Sequence, residues 1–200
     1  EAGLVAQLPI KPFTVDRAAA IWKLDKATAQ NMLEDLAGRA MLLDMEQNGQ
    51  QMFCLPPPMA GFFEFSMMRV RGDVNQKALA ELYYQYLNVE EDFVKALFVE
   101  NGTPLGRIFV QEAALPQDGK LEVLDYERAS HIIKTASHIG VSMCYCRHKT
   151  QQLGRACEAP MDSCMTSNTS ARSLIKDGHA RQVDAAECLD LLAVAQGHNL

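Results

Sequence analysis

Four of the six cysteines, Cys144, Cys146, Cys157 and Cys164, fall in one short stretch, CYCRHKTQQLGRACEAPMDSC, in a C-x-C-x10-C-x6-C pattern. Thiolates are soft ligands, and a cluster of them suits zinc or an iron–sulfur centre. In an extended segment, residues i and i+2 share a face with Cα atoms about 6.5–7 Å apart. Thiolates on one tetrahedral zinc sit about 3.8 Å from each other, given Zn–S of about 2.3 Å. A C-x-C pair at a strand end therefore reaches two irons of a cubane more easily than one zinc, although a bent C-x-C still binds zinc. The pattern is neither a ferredoxin run nor a pair of zinc-ribbon knuckles.

The other candidate ligands are scattered. Cys54 and Cys188 stand apart in apolar contexts and are expected to be small buried hydrophobes. The five histidines form no H-x-x-H or H-E-x-x-H pair, and no P-loop or G-x-G-x-x-G is present. His148 is expected to be an exposed loop residue. Met143, Tyr145, Met161 and Met165 surround the cysteines and would limit water access.

The 48% hydrophobic and 22% charged fractions of this 200-residue chain are those of an ordinary globular protein with chain enough for a real core. No run of about 18 apolar residues predicts a membrane span. The opening EAGLVAQLPIKPF lacks the basic-then-apolar order of a signal peptide and an initiator Met. Clustered, unpaired cysteines suit a reducing cytoplasm. The net charge of −6 is uneven: His131 to Arg181 holds seven Lys/Arg against three acids, leaving 12 bases and 22 acids elsewhere. The basic excess would either offset a negative thiolate centre or form a solvated face.

The elements that must position the cysteines can be read from local signals. Thr14 caps a short helix to Leu24, and Asp25 caps a second from Lys26 to Arg39, with Ala29, Met32, Leu33 and Leu36 at helical spacing. Asn48-Gly49 between MLLDMEQ and QQMFCL predicts a β-hairpin. Pro56-Pro57-Pro58 marks a boundary. GFFEFSMMRV, QKALAELYYQYL and VEEDFVKALF read as helices, the last capped by Asn88. RIFV near Val110 and Leu121 to Leu124 read as short strands, and Asp125 caps a helix to Thr135. IGVSMCY reads as a strand delivering Cys144 and Cys146. Helices follow at TSNTSARSLIKDG and, opened by Asp184, at VDAAECLDLLAVAQG. The expected fold is α+β and mostly helical: a winged helix-turn-helix over residues 1–57, then a helical and short-strand domain over 58–200 carrying a four-cysteine loop at 144–164.

A winged helix invites nucleic acid, but its charges oppose that use. The second helix offers Lys26, Gln30, Asn31 and Arg39 beside Glu34 and Asp35, and the wing adds Asp44 and Glu46. Phosphate binding draws its affinity from Lys and Arg, yet Glu1 to Val70 holds six bases against eight acids. Nucleic acid stays a possible ligand of this module, with protein docking the favoured one.

With the winged front, LPPPMAGFFEFSMMRVR, DYERASHII and CYCRHK…ACEAPMDSCM together, nearly the whole chain resembles the 4Fe–4S ferredoxin-type iron–sulfur binding proteins of anaerobes that carry an N-terminal winged-helix-like region. The resemblance implies Cys144, Cys146, Cys157 and Cys164 as cluster ligands, and a further cysteine-rich end past the position matching Leu200. Three functions follow. The first is an electron-transfer protein or oxidoreductase subunit, rather than a stand-alone catalyst, docking a protein redox partner through its acidic body. The second is a redox- or metal-responsive winged-helix regulator, and the third a structural zinc module. A homodimer is compatible with each.

Overall fold

The computed structural model describes residues 1–57, 61–98 and 128–198. Among these residues the chain is mixed α/β, mostly helical, with two small antiparallel sheets. The expected strands at 107–110 and 121–124, the Asp125 cap and Pro58 of the proline run lie outside the described residues. Among the described residues, no helix is long and apolar enough to cross a membrane.

The N-terminal elements form where the local signals place them. After a single turn, α1 (Ala2–Val5), the Thr14 hydroxyl accepts the Arg17 amide to open α2 (Val15–Trp22). Lys23 ends α2 in the left-handed region (φ 58°). Asp25 then accepts the Thr28 amide to open α3 (Lys26–Gly38). Ala29, Leu33 and Leu36 point inward and pack with Phe13, Trp22 and Phe53. Strands β1 (Leu43–Gln47) and β2 (Gln50–Cys54) pair antiparallel around Asn48 (φ 52°) and Gly49 (φ 74°). Both turn residues have positive φ, the geometry Asn-Gly adopts readily and bulkier residues resist. Phe13 bridges Phe53 on the other edge of β2.

Then come α4 (Phe63–Met68), α5 (Gln76–Asn88) and α6 (Glu91–Phe98). Asn75 caps α5. Asn88 does not cap α6 as expected: it is the last residue of α5, and its side-chain amide donates to the Tyr84 carbonyl at 2.8 Å. An Asn four residues past a helical carbonyl can turn back to it, and that local bond wins here over a forward cap. Met67 and Tyr83 are buried between α4, α5 and the later helix that carries Tyr145.

The C-terminal elements are α7 (Ala129–Thr135), β3 (Ile139–Met143), α8 (Tyr145–Gln152), β4 (Asp162–Ser167), α9 (Asn168–Lys176), β5 (Arg181–Gln182) and α10 (Ala185–Gly197). Strand β3 is central in the order β4-β3-β5, and four of its five residues are buried. Gly140 fits closely there: a Cβ would meet the Ala180 Cβ and the Thr166 hydroxyl at 3.2 Å, so those side chains would have to give by a few tenths of an ångström. Strand β4 enters α9 with no intervening residue. Asn168 makes the corner at φ 56°, its side chain accepting the Ser137 amide at 3.0 Å.

Helix α9 also grips the hairpin. The Ser173 hydroxyl donates to the buried Asp44 carboxylate at 2.5 Å, Lys176 pairs with the same carboxylate, and Arg172 pairs with Glu46. One turn on, Asp177 accepts the Arg69 guanidinium at 3.0 Å.

Candidate metal centre

The cysteine stretch is not a loop. It contains α8 and the start of β4, joined by residues 153–161. Cys144 directly follows β3, as expected, but Cys146 lies in the first turn of α8 rather than on an extended strand. Tyr145-Cys146-Arg147-His148 takes the helix because Tyr145 and His148 bury one face against α4 and α5. The reach that an extended C-x-C offers a cubane over zinc is therefore absent, and spacing no longer separates the two.

The sheet explains how Cys164 reaches Cys144 across the sequence. Cys164 pairs with Ser142, two residues before Cys144, next to an irregularity in the ladder at Ser142/Met143. The Cys144 amide donates to the Met161 carbonyl at 2.8 Å, closing the gap between β3 and the start of β4. Cys144 and Cys146 share a hydrogen bond, and Cys164 lies near enough for the Cys144 charge to raise its pKa. Cys157 is exposed in the connecting segment, and the structure does not bring it to the other three. Among the described residues, no three His, Cys, Asp or Glu side chains converge closely enough to hold a metal ion as they stand.

The electrostatics of the three sulfurs are unequal. The hydrogen bond with Cys146 favours a thiolate at Cys144 and overrides burial. The Arg147 amide and charge add to the effect, so Cys144 titrates well below an ordinary thiol. The amide's contribution is weak, since none at the start of α8 makes a full capping bond to the sulfur. The same shared proton pushes Cys146 up, although this residue is exposed at the start of α8. Burial, then the Cys144 charge, push Cys164 up to about 11. Burial, then the hydrogen bond that its hydroxyl donates to the Cys146 sulfur, raise the Tyr145 pKa.

Arg147 is the residue that stands out. It is only 8% exposed, and its Nη1 and Nη2 both donate to the Ser163 hydroxyl at 3.0 Å. Its Nε has no partner, and among the described residues no carboxylate pairs with it. A buried guanidinium answered by a neutral hydroxyl is expensive unless an anion stands nearby. The adjacent anionic chemistry is thiolate. The donor set and this cation fit a thiolate-ligated centre, which carries net negative charge.

The remaining bases of the stretch from His131 to Arg181 are largely used elsewhere. Arg172 and Lys176 hold the hairpin, Arg181 pairs with Glu187, and Lys149 and Arg155 lie over the Tyr83 and Tyr84 rings. Of the seven Lys and Arg that gave the excess, Arg147 is the one buried beside the cysteines. Nothing in the sequence singled it out except its place beside the C-x-C.

His148 is neither an exposed loop residue nor a sulfur contact. It is buried in α8, its Nδ1 lies 2.9 Å from the Met67 carbonyl and its Nε2 3.2 Å from the Gln152 amide. The carbonyl can only accept, so Nδ1 carries the proton and Nε2 accepts from Gln152. Cys188 is fully buried as expected, and Cys54 is half-buried in β2.

No family model, curated protein or solved structure matches the chain.

Proposed function

We propose that the chain is an electron-transfer component in which Cys144, Cys146 and Cys164, completed by Cys157 from its exposed segment, ligate a 4Fe–4S cluster. When bound, such a cluster supplies a one-electron couple whose potential depends on charge, hydrogen bonds to sulfur and solvent access. The single observation carrying this reading is Arg147, a buried cation with no carboxylate among the described residues, set beside three neighbouring cysteines. Its role is to offset the negative charge of the ligated thiolates. Tyr145 donates a hydrogen bond to the Cys146 sulfur, and half-buried Met143, Met161 and Met165 restrict water. The resemblance of LPPPMAGFFEFSMMRVR and the cysteine segment to the winged-helix-bearing iron–sulfur family supports the same reading.

The front of the chain, two helices followed by a hairpin, has the order of a winged helix. We read it as a protein-docking module. Its wing acids Asp44 and Glu46 are engaged by α9, and Glu34 and Asp35 lie on the helix that would enter a groove. DNA affinity from such a surface is expected to be weak and to vanish at moderate salt.

The test is anaerobic reconstitution of the full chain with iron and sulfide, followed by metal analysis and visible and EPR spectra. The expected result is about four irons per chain, one cubane, and loss of the chromophore in Cys146→Ser. One equivalent of zinc with no iron uptake would replace the cluster with a structural zinc site.

A further inference from the structure

We infer that the exposed face formed by Leu82, Tyr86 and Val89 is the docking surface for a cationic one-electron carrier protein. This rests on the electron-transfer reading and adds where the electron leaves. The three residues follow i, i+4, i+7 spacing along α5 and just past its end, so they share one side of the helix. They are 62%, 46% and 74% exposed. An apolar strip this open on a helix whose other side is buried marks an interaction surface. A groove lined by Met41, Leu55, Pro56 and Phe62 continues the strip beside Tyr86.

A stack of rings joins this face to the sulfur site. Tyr145, hydrogen-bonded to Cys146, stacks on Tyr83 with centroids 6.4 Å apart. Tyr83 stacks on Phe63 at 4.2 Å, and Phe63 meets Tyr86 at 5.0 Å. These separations are those of packed aromatic pairs, so no water layer interrupts the path from Cys146 to the exposed edge of Tyr86.

The charge of the partner follows from what surrounds the strip. Glu81 precedes Leu82 on α5 and Glu90 follows Val89, while beyond them Asp92 lies 3.9 Å from Lys95. Arg155, over Tyr84, belongs to the other side of α5, because Tyr84 and Tyr86 are two residues apart on a helix. The chain as a whole carries 19 bases against 25 acids, a net charge of −6. A field of that sign steers a basic partner.

In the transfer, one electron passes from the reduced centre of this protein to the carrier's oxidised group, with no bond made and no proton moved. The test uses ferric cytochrome c, a basic haem protein, as the carrier probe and a neutral quinone as a small acceptor. In the reconstituted chain, Leu82→Ser with Val89→Ser, which leaves the ring stack whole, is expected to slow haem reduction about tenfold, the loss of one interface anchor. The wild-type rate falls with salt, and the quinone rate stays unchanged in the variant. Equal haem-reduction rates in wild type and variant would overturn the docking face. So would amide shifts, on titrating the labelled apo chain with cytochrome c, that map away from residues 82–90. A dimer abolished by Leu82→Ser would assign the face to a second copy and overturn the proposal. Shifts confined to residues 82–90 in a chain that never gains a reducible centre would uphold the surface and sink the electron-transfer reading instead.

Discussion

Asp44 and Arg147 are buried to the same degree, each 8% exposed, and are treated in opposite ways. Asp44 is answered in full: burial alone would raise its pKa, but Lys176 and Ser173 outweigh that and hold the carboxyl below its ordinary value. Among the described residues Arg147 meets only the Ser163 hydroxyl, with Nε unpartnered. Arg69 falls between them: its side chain is 1% exposed and leaves two nitrogens unpartnered, yet it has the Asp177 carboxylate. The contrast separates a closed ion pair, which fixes the hairpin to α9, from an open charge, which favours an anion at the cysteines. A fold gains nothing by burying a guanidinium against a neutral hydroxyl; a thiolate centre does.

The contrast can be broken most severely at the closed site. Lys176→Ala strands the Asp44 carboxylate and is expected to cost about 2 kcal/mol in urea unfolding, discounted from a fully buried pair because Lys176 is half exposed. Iron uptake in this variant should match wild type, and a parallel loss of both would show that the two sites are not separate. Asp44→Asn should cost about 1 kcal/mol at neutral pH, and the gap should close in acid. The sign follows from the lowered pKa: Asp44 stabilises the fold above the unfolded carboxyl range, near pH 4, and loses that contribution as pH falls through its depressed native value. Parallel stability curves for wild type and Asn from neutral to acid pH would refute this. The smallest effect on folding belongs to the open site. Arg147→Met in the apo chain should change stability by less than about 1 kcal/mol, since an apolar isostere removes a poorly answered charge. The same variant should retain less iron after gel filtration than Arg147→Lys. Equal retention would reduce Arg147 to a packing residue.

What could be read from sequence was local. Thr14, Asp25 and Asp184 cap helices, and Asn48-Gly49 turns a hairpin, because each signal acts within about four residues of itself. What was missed depends on distant partners. The Asp44 and Lys176 pair spans 132 positions, so the wing's acids looked like a free surface. His148 looked exposed because its polar neighbours hide the Met67 carbonyl that draws it inward. The cysteine stretch was expected to be a loop from its ligand-like pattern, which says nothing about the face that Tyr145 buries. Three of the four candidate cysteines do become neighbours, but through the pairing of β3 with β4 rather than through a strand-borne C-x-C.

The direct passage of β4 into α9 sets a rule for length as well as for shape. From Cys164 to Lys176 the chain runs from the sulfur site to the grip on the hairpin, with its only corner at Asn168 and no slack. One residue added before the corner would turn Cys164 to the opposite face of the sheet. One added after it would rotate Arg172 and Lys176 by about 100° away from Glu46 and Asp44. Residues 153–161 are held less tightly, at their two ends and, when a cluster is bound, at Cys157. Sequences sharing this architecture should therefore vary in length between Gln152 and Asp162 and keep a fixed count from Cys164 to Lys176, so that the stretch works as a ruler between the two halves of the molecule.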